Sequence, residues 1–218
     1  MTDFLWTRPS SMPSATLLLA HGAGAPMDSA FMTRLAEALT SEGVAVARFE
    51  FPYMAARRSD GRKLPPPRAE KLIGAFQTAV QTVLHEVDGP LLIGGKSMGG
   101  RVAAMLAGGA SLPGRVLGVV CVGYPFHPTA KPEHWRLEPL QQASRPVLIA
   151  QGERDPFGSR AELEAVSLPA NVEIVFLEDG NHDLGPRGQS PATWDGNIGA
   201  AARSIADFAR RLGSRTSA

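Results

Sequence analysis

The stretch LLIGGKSMGGR, residues 91–101, joins a short apolar run to a glycine-rich turn and the start of a helical pattern. Within it Gly95, Ser97 and Gly99 form the motif G-x-S-x-G. A serine on a tight strand-to-helix turn needs small residues two positions before and after it, because side chains there would come too close. Such a turn exposes the serine hydroxyl at the carboxyl edge of a sheet. The stretch therefore predicts a strand–turn–helix unit with Ser97 as a nucleophile.

Five further apolar runs flank this unit, at residues 16–20, 44–49, 116–122, 147–150 and 172–177. Together with residues 91–93 they are short and uniformly apolar, which is typical of buried parallel strands. The segments between them include helical spacing of apolar residues, most clearly over 72–87 and 198–212. The alternation predicts an α/β fold, a three-layer sandwich with a mostly parallel central sheet of about six strands.

Length and charge limit the classes of protein to consider. The chain has 218 residues, which predicts a single domain over residues 1–218. Lys and Arg number 22 against 21 Asp and Glu, so we expect no nucleic-acid partner. No run approaches the ~20 apolar residues of a membrane helix, and the first residues lack a secretory pattern. We therefore expect a cytoplasmic protein without a membrane partner, as a monomer or homodimer.

A nucleophilic serine needs a base and an acid, which follow it in the order acid, then histidine, in hydrolases with this turn. Asp155 comes five residues after the run 147–150, and His182 comes five residues after the run 172–177. All three side chains then lie at carboxyl ends of strands, where open α/β sheets place their sites. We predict that Ser97 attacks, His182 accepts its proton and Asp155 orients the imidazole. The alternative for Asp155 is a structural carboxylate that caps a helix.

The negative charge that develops during such an attack needs two hydrogen-bond donors. One is expected from the backbone N–H of Met98, the residue after the nucleophile. The other is expected from the loop after the first long strand, HGAGA at residues 21–25, where we choose the N–H of Ala23. We expect His21 to anchor this loop through hydrogen bonds.

Substrate-binding residues are less well determined by the sequence. His127 and Phe157 follow the fourth and fifth long strands and are our candidates, although His127 could equally close a turn and Phe157 could pack a helix. An insert at residues 51–68 carries five basic residues: Arg57, Arg58, Arg62, Lys63 and Arg68. We interpret it as a solvated loop, in preference to a lid that recognises an anion.

A phosphate-binding loop is the main competing interpretation of the serine stretch. Gly95-Lys96-Ser97 matches the end of G-x-x-x-x-G-K-[ST], but the first glycine would fall on Pro90 and residues 91–93 would have to be loop. The single cysteine excludes an intramolecular disulfide and a multi-cysteine zinc site. We therefore expect neither a metal nor an organic cofactor.

Several motifs occur together in this chain: HGAGAPMDS, FPYM, GGKSMGGR, GYPFHP, QGERDPFG and LEDGNHDL. With them the chain resembles a family of small α/β-hydrolase-fold proteins over about residues 21–183. That family includes the testis-expressed hydrolase-like proteins and the hydrolase-like part of a subunit of the NSL histone acetyltransferase complex. The resemblance implies the α/β-hydrolase core and places Ser97, Asp155 and His182 at the triad positions. The chain departs from the larger superfamily in two ways, because little sequence precedes the first long strand and none is available for a cap domain.

The sequence thus predicts a capless serine hydrolase that cleaves a small-molecule carboxylic ester or thioester, with short acyl groups, through an acyl-enzyme on Ser97. Two alternatives stay open. The same triad could transfer the acyl group to another acceptor, as in an acyltransferase or a perhydrolase. The chain could also be a non-catalytic, hydrolase-like scaffold for protein interaction.

Overall fold

The apolar runs pair into one seven-stranded sheet in the computed structural model, which describes residues 3–61, 64–109 and 112–216. The strand order is β1-β3-β2-β4-β5-β6-β7. The strands are β1 Leu5–Thr7, β2 Ala15–Ala20, β3 Val44–Phe49, β4 Leu91–Lys96, β5 Val116–Val122, β6 Val147–Gly152 and β7 Val172–Leu177. Strands β2 to β7 are parallel, as predicted, and β1 pairs antiparallel with β3 at the edge.

The edge strand β1 is the one strand of the described residues that the sequence pattern does not predict. It has three half-buried residues, Leu5–Thr7, and so offers neither an apolar run nor a clear alternation. Its extended conformation therefore depends on pairing with Arg48, Ala47 and Val46 of β3, because its own composition does not favour a strand. The antiparallel N-terminal part of the sheet is therefore reduced to a single short strand.

Helices cover both faces of the sheet, which confirms the predicted three layers. They are α1 Ala30–Ser41, α2 Pro52–Asp60, α3 Ile73–Leu84, α4 Met98–Gly109, α5 Glu138–Gln142, α6 Arg160–Leu163 and α7 Trp194–Thr216, with a 3₁₀ turn at Ala69–Leu72. One apolar cluster joins α1 and α7 to one face, and a second joins α3 and α4 to the other. Burial on both faces explains why β2 to β6 are almost uniformly apolar. Within the described ranges, no helix combines the length and the apolar character needed to cross a bilayer.

The insert at residues 51–68 is not the solvated loop that we expected, because its first half forms α2. Pro52 occupies the first helical turn, where its missing N–H costs nothing, and Gly61 ends the helix at φ 70°. Tyr53 and Met54 are buried in the core. These two residues are too few to show a helical period among the surrounding charges, which is why the pattern does not reveal the helix. Arg62 and Lys63 lie outside the described residues.

The sheet reverses its strand order between β2 and β4. From β2 the chain moves outward to β3, then returns to the other side of β2 to form β4. The loops that leave β2 and β4 therefore diverge from adjacent strands and leave a crevice at the carboxyl edge. The connection from β5 to β6, residues 123–146, contains only the short helix α5, so no cap domain covers this edge in the described part of the chain.

Candidate active site

Ser97 lies on the sharp turn between β4 and α4, and its backbone is in the left-handed region at φ 51°. This conformation is costly for a residue with a side chain and persists where the surroundings enforce it. A Cβ atom on Gly95 would lie 2.5 Å from the Gly99 carbonyl carbon, and one on Gly99 would lie 2.6 Å from the His21 oxygen. The two glycines therefore allow the turn to form, as the motif predicted.

The structure brings the three predicted triad side chains into one hydrogen-bonded chain. His182 Nε2 lies 2.9 Å from Ser97 Oγ, and His182 Nδ1 lies 2.8 Å from Asp155 Oδ2. Asp155 is fully buried, whereas the His182 side chain is 21% exposed. With the proton on Nδ1 donated to Asp155, the lone pair of Nε2 accepts the Ser97 hydroxyl hydrogen. This arrangement can take a proton from Ser97 during an attack.

Asp155 is held by two further donors. The Phe157 N–H donates to Oδ1 at 2.9 Å and closes a local turn, as expected for a carboxylate with a structural role. Gln151 Nε2 donates to Oδ2 at 3.0 Å. Asp155 thus combines a turn-forming role with contact to His182. Glu153, another acid in the same segment, pairs with Arg160 instead of His182.

Gln151 is a site residue that sequence reasoning missed. It is fully buried at the end of β6, where its amide nitrogen is also within hydrogen-bond distance of the Tyr124 and Gly158 oxygens. A polar side chain that closes an otherwise apolar strand was the available signal. Because a buried amide needs partners, its presence fixes the turn that carries Asp155.

Hydrogen bonds from side chains to its backbone carbonyl groups hold the loop after β2 in place. Buried His21 donates from Nδ1 to the Gly22 oxygen at 2.6 Å and accepts from the Phe51 N–H at Nε2. Burial lowers the pKa of His21, which favours this neutral ring. The Tyr53 hydroxyl donates to the Ala23 oxygen at 2.9 Å. His21 thus anchors the loop, as expected, and α2 contributes a second anchor.

The two predicted oxyanion donors are the backbone N–H groups of Ala23 and Met98. Met98 begins α4, where the first N–H groups have no partner within the helix. Ala23 and Met98 line one cleft with Ser97. Among the described residues, neither N–H donates to another backbone oxygen. This arrangement is compatible with the predicted role of both donors, which stays a prediction.

Ser97 lies between two clefts. The first, here called the arginine cleft, has a volume of about 480 Å³ and its polar walls are Arg68, Glu70, Arg101 and Arg136. The second, here called the aromatic cleft, has a volume of about 540 Å³ and is lined by His182, Lys96, Phe31, Met32 and Trp194. Phe157 lines both clefts, and its ring centroid lies 4.5 Å from that of His182.

His127 is not among the residues that line either cleft. Its side chain is buried, its ring packs edge-on against Trp135, and its Nε2 lies 3.3 Å from Glu162 Oε1. The backbone N–H of His127 donates to the backbone oxygen of Phe157 at 3.1 Å. Of the two roles that we considered, this position matches the structural one, because His127 supports the segment that carries Phe157.

Lys96, directly before the serine, is buried although lysine is usually a surface residue. Its Nζ lies 3.2 Å from Asp183 Oδ1 and 5.5 Å from the Phe31 ring centroid. Burial lowers the pKa of Lys96, and the nearby carboxylates of Asp183 and Asp155 offset part of that effect. Nothing in the sequence indicates this burial, because the motif leaves the position unspecified. In the described ranges, no three His, Cys, Asp or Glu side chains are grouped as a metal site would require.

Comparison with known proteins places this geometry in a family. The family described as "Alpha/beta hydrolase domain" matches residues 13–210. Among solved structures, a serine hydrolase homologue from Coxiella burnetii is 20% identical, with a TM-score of 0.63 over 96% of this chain and 90% of that one. A serine hydrolase without a lid from Xanthomonas campestris is 18% identical, with a TM-score of 0.68 over 95% and 89%. A dienelactone hydrolase from Anabaena variabilis is 21% identical, with a TM-score of 0.66 over 96% and 89%. At these identities the structures show a shared fold, and the family match shows that the chain belongs to the α/β-hydrolase domain family.

Proposed function

We propose that the protein is a serine hydrolase that cleaves carboxylic esters or thioesters through an acyl-enzyme on Ser97. The observation that carries this proposal is the continuous hydrogen-bonded chain from Asp155 through His182 to Ser97. The positive φ of Ser97 adds support, because strain of this kind is usual where a side chain must be held for chemistry.

In the first half of the reaction, Ser97 Oγ bonds to the substrate carbonyl carbon while its proton passes to His182 Nε2. Asp155 stabilises the imidazolium that forms. The N–H groups of Ala23 and Met98 donate to the carbonyl oxygen as it becomes negative. The intermediate then collapses, the bond to the leaving oxygen or sulfur breaks, and His182 returns the proton to the leaving group.

In the second half, water replaces the leaving group and attacks the acyl-enzyme. His182 takes the proton of the water, and then returns it to Ser97 as the acid is released. Both clefts open to solvent at an edge without a cap, which favours water over another acceptor. We therefore propose hydrolysis ahead of acyl transfer or perhydrolysis by the same residues.

Open clefts also bear on the size of the substrate. Sites that bind long apolar chains bury most of the ligand surface, whereas here the surrounding loops offer short walls. We propose that short acyl groups, of about two to six carbons, are preferred. The narrower resemblance to the testis-expressed hydrolase-like proteins rests on sequence motifs and adds no substrate to this proposal.

A fluorophosphonate probe tests the proposal directly, because it reacts with an activated serine and not with an inert one. We expect labelling of the wild type and hydrolysis of p-nitrophenyl butyrate. Ser97→Ala should lose both while keeping the wild-type circular dichroism spectrum and melting temperature. Ser10→Ala, at an exposed serine of the N-terminal segment, is the matched control and should keep both. Unlabelled, inactive wild-type protein would instead favour the scaffold alternative.

A further inference from the structure

Three arginines from separate segments converge on the cleft beside Ser97. Arg68 precedes the 3₁₀ turn, Arg101 lies on α4, and Arg136 precedes α5. Glu70 is the one carboxylate among the described residues that line this cleft. The walls therefore carry an excess of positive charge next to the nucleophile.

The hydrogen-bonding capacity of these arginines is largely unused. Arg101 pairs with Glu70 at 3.1 Å, but its Nε is buried with no acceptor. Arg136 makes a long bond of 3.4 Å to the Pro125 oxygen. For the Arg68 guanidinium, the described part of the chain supplies no ion-pair partner. Burial lowers the pKa of Arg136 and the like charge of Arg101 lowers it further, while Tyr124 and Glu70 offset part of this effect.

Several arginines elsewhere in the protein have carboxylate partners, whereas Arg115 and Arg145 donate to backbone oxygens instead. Arg58 pairs with both Asp28 and Glu50. Arg160 pairs with both Glu153 and Glu164. What distinguishes the cleft is that three guanidinium groups share one carboxylate beside Ser97, so a ligand that brings a second carboxylate would balance their charge.

The position of His182 indicates which part of an ester each cleft receives. His182 must return a proton to the leaving group, and it lines the aromatic cleft but not the arginine cleft. The leaving group therefore extends into the aromatic cleft, and the acyl group extends the other way. Arg101 lies on the first turn of α4, its backbone N–H donates to the Ser97 oxygen at 3.1 Å, and both residues line the arginine cleft. An anion bound there is only a few carbons from the ester carbonyl.

We propose that the arginine cleft binds a carboxylate on the acyl group, so that the preferred substrates are half-esters or half-thioesters of short dicarboxylic acids. Arg101 and Arg136 hold the free carboxylate, and Arg68 closes the cleft at its exposed side. Water and the half-ester give the dicarboxylic acid and the alcohol or thiol, with no other reactant. This inference rests on the proposed role of Ser97, and it specifies the acyl group for that site.

The test compares two esters of equal length that differ in charge: p-nitrophenyl hemiglutarate and p-nitrophenyl valerate. We expect kcat/KM of the wild type to be about tenfold or more higher for the charged ester, because hydrogen bonds to charged groups are among the stronger ones. Added salt should reduce this ratio. Free glutarate should inhibit competitively at concentrations where valerate does not, which tests the cleft without a variant.

Substitution then assigns the effect to the cleft. Arg136→Met and Arg101→Met keep the apolar stem and should each bring the charged-to-neutral ratio down at least fivefold. Arg211→Met, at an exposed arginine on α7 far from the site, is the matched control and should leave both rates unchanged. Wild-type protein that hydrolyses the valerate ester but shows a ratio of one or less would overturn this inference and leave the proposed hydrolase intact. A wild type that hydrolyses neither ester would instead contradict the proposed function itself.

Discussion

The two clefts beside Ser97 have similar volumes but opposite chemical character. The aromatic cleft is walled by rings and holds one buried ammonium that is paired with a carboxylate. The arginine cleft has three guanidinium groups against one carboxylate. In the proposed reaction, the Ser97 nucleophile therefore faces two halves of a substrate that are recognised differently. Selectivity for the acyl group and for the leaving group can then be altered separately.

The largest expected effect on kcat comes from a substitution that should slow the hydrolysis of all esters equally, whichever cleft recognises them. Asp155→Asn should lower kcat by about 10³–10⁴-fold for all esters, because the amide no longer holds the tautomer of His182 that accepts the Ser97 proton. Steady-state kinetics with the hemiglutarate and valerate esters measures it, and the ratio between the two should stay constant. Asp183→Asn is the control, since the Asp183 carboxylate pairs with Lys96 whereas the His182 ring pairs with Asp155. A loss confined to one ester would mean that Asp155 acts on binding rather than on the shared base.

Trp194→Ala addresses the aromatic cleft alone. The Trp194 ring packs beside Phe31, and its Nε1 donates to the Asp183 oxygen. Removing the ring takes away apolar contact worth about two methylene groups, or ~1.5 kcal/mol. We expect kcat/KM for benzyl esters to fall about tenfold relative to methyl esters of the same acid. A change in the charged-to-neutral acyl ratio, in place of this, would contradict the assignment of the aromatic cleft to the leaving group.

Lys96→Met tests the buried cation of the aromatic cleft through stability. Because burial lowers the pKa of Lys96, the folded protein binds fewer protons than the unfolded chain between that lowered pKa and 10.5. The free energy of unfolding of the wild type therefore rises with pH across this window, by at most about 1.4 kcal/mol per pH unit. The methionine side chain does not titrate, so the stability of the variant relative to the wild type should fall as pH rises.

Urea unfolding of both proteins at several pH values between about 6 and 10 measures this difference. Comparing the two proteins at each pH removes the contribution of every group that titrates equally in both. Lys131→Met, at an exposed lysine, is the control and should show a difference that does not depend on pH. A pH-independent difference for Lys96→Met as well would contradict the lowered pKa.

The sequence predicted the strands and the serine turn, but it did not predict the arginine cleft. The strands and the serine turn are local patterns, and the chain-order rule selected His182 and Asp155 because each follows a strand end. The arginine cleft has no local pattern. Arg101 and Arg136 lie on different segments, 35 residues apart in the sequence. An arginine on a helix or loop is usually exposed to solvent, so only the tertiary structure shows that these two line one cleft.

Buried polar residues were missed for a related reason. Lys96 is the last residue of β4 and Gln151 the last but one of β6, and only the closed fold removes them from water. The helix α2 was missed because the packing of Tyr53, rather than its neighbours in sequence, orders that segment. Local patterns thus predicted the three side chains that the fold brings together, whereas the residues that hold them in place depend on contacts between distant parts of the chain.

The smallest expected effect compares the chain's two tyrosines, because each hydroxyl supports one side of the site. Tyr53 donates to the Ala23 oxygen at 2.9 Å, beside the proposed oxyanion site, and Tyr124 donates to the Arg136 oxygen at 2.8 Å, beside the arginine cleft. Losing one such bond costs about 0.5–1.5 kcal/mol. Tyr53→Phe should therefore lower kcat/KM about threefold for the hemiglutarate and valerate esters alike. Tyr124→Phe should lower it by a similar factor for the hemiglutarate ester only. The two variants are matched controls for each other, and equal effects of both on the neutral ester would show that Tyr124 supports the fold in general rather than the position of Arg136.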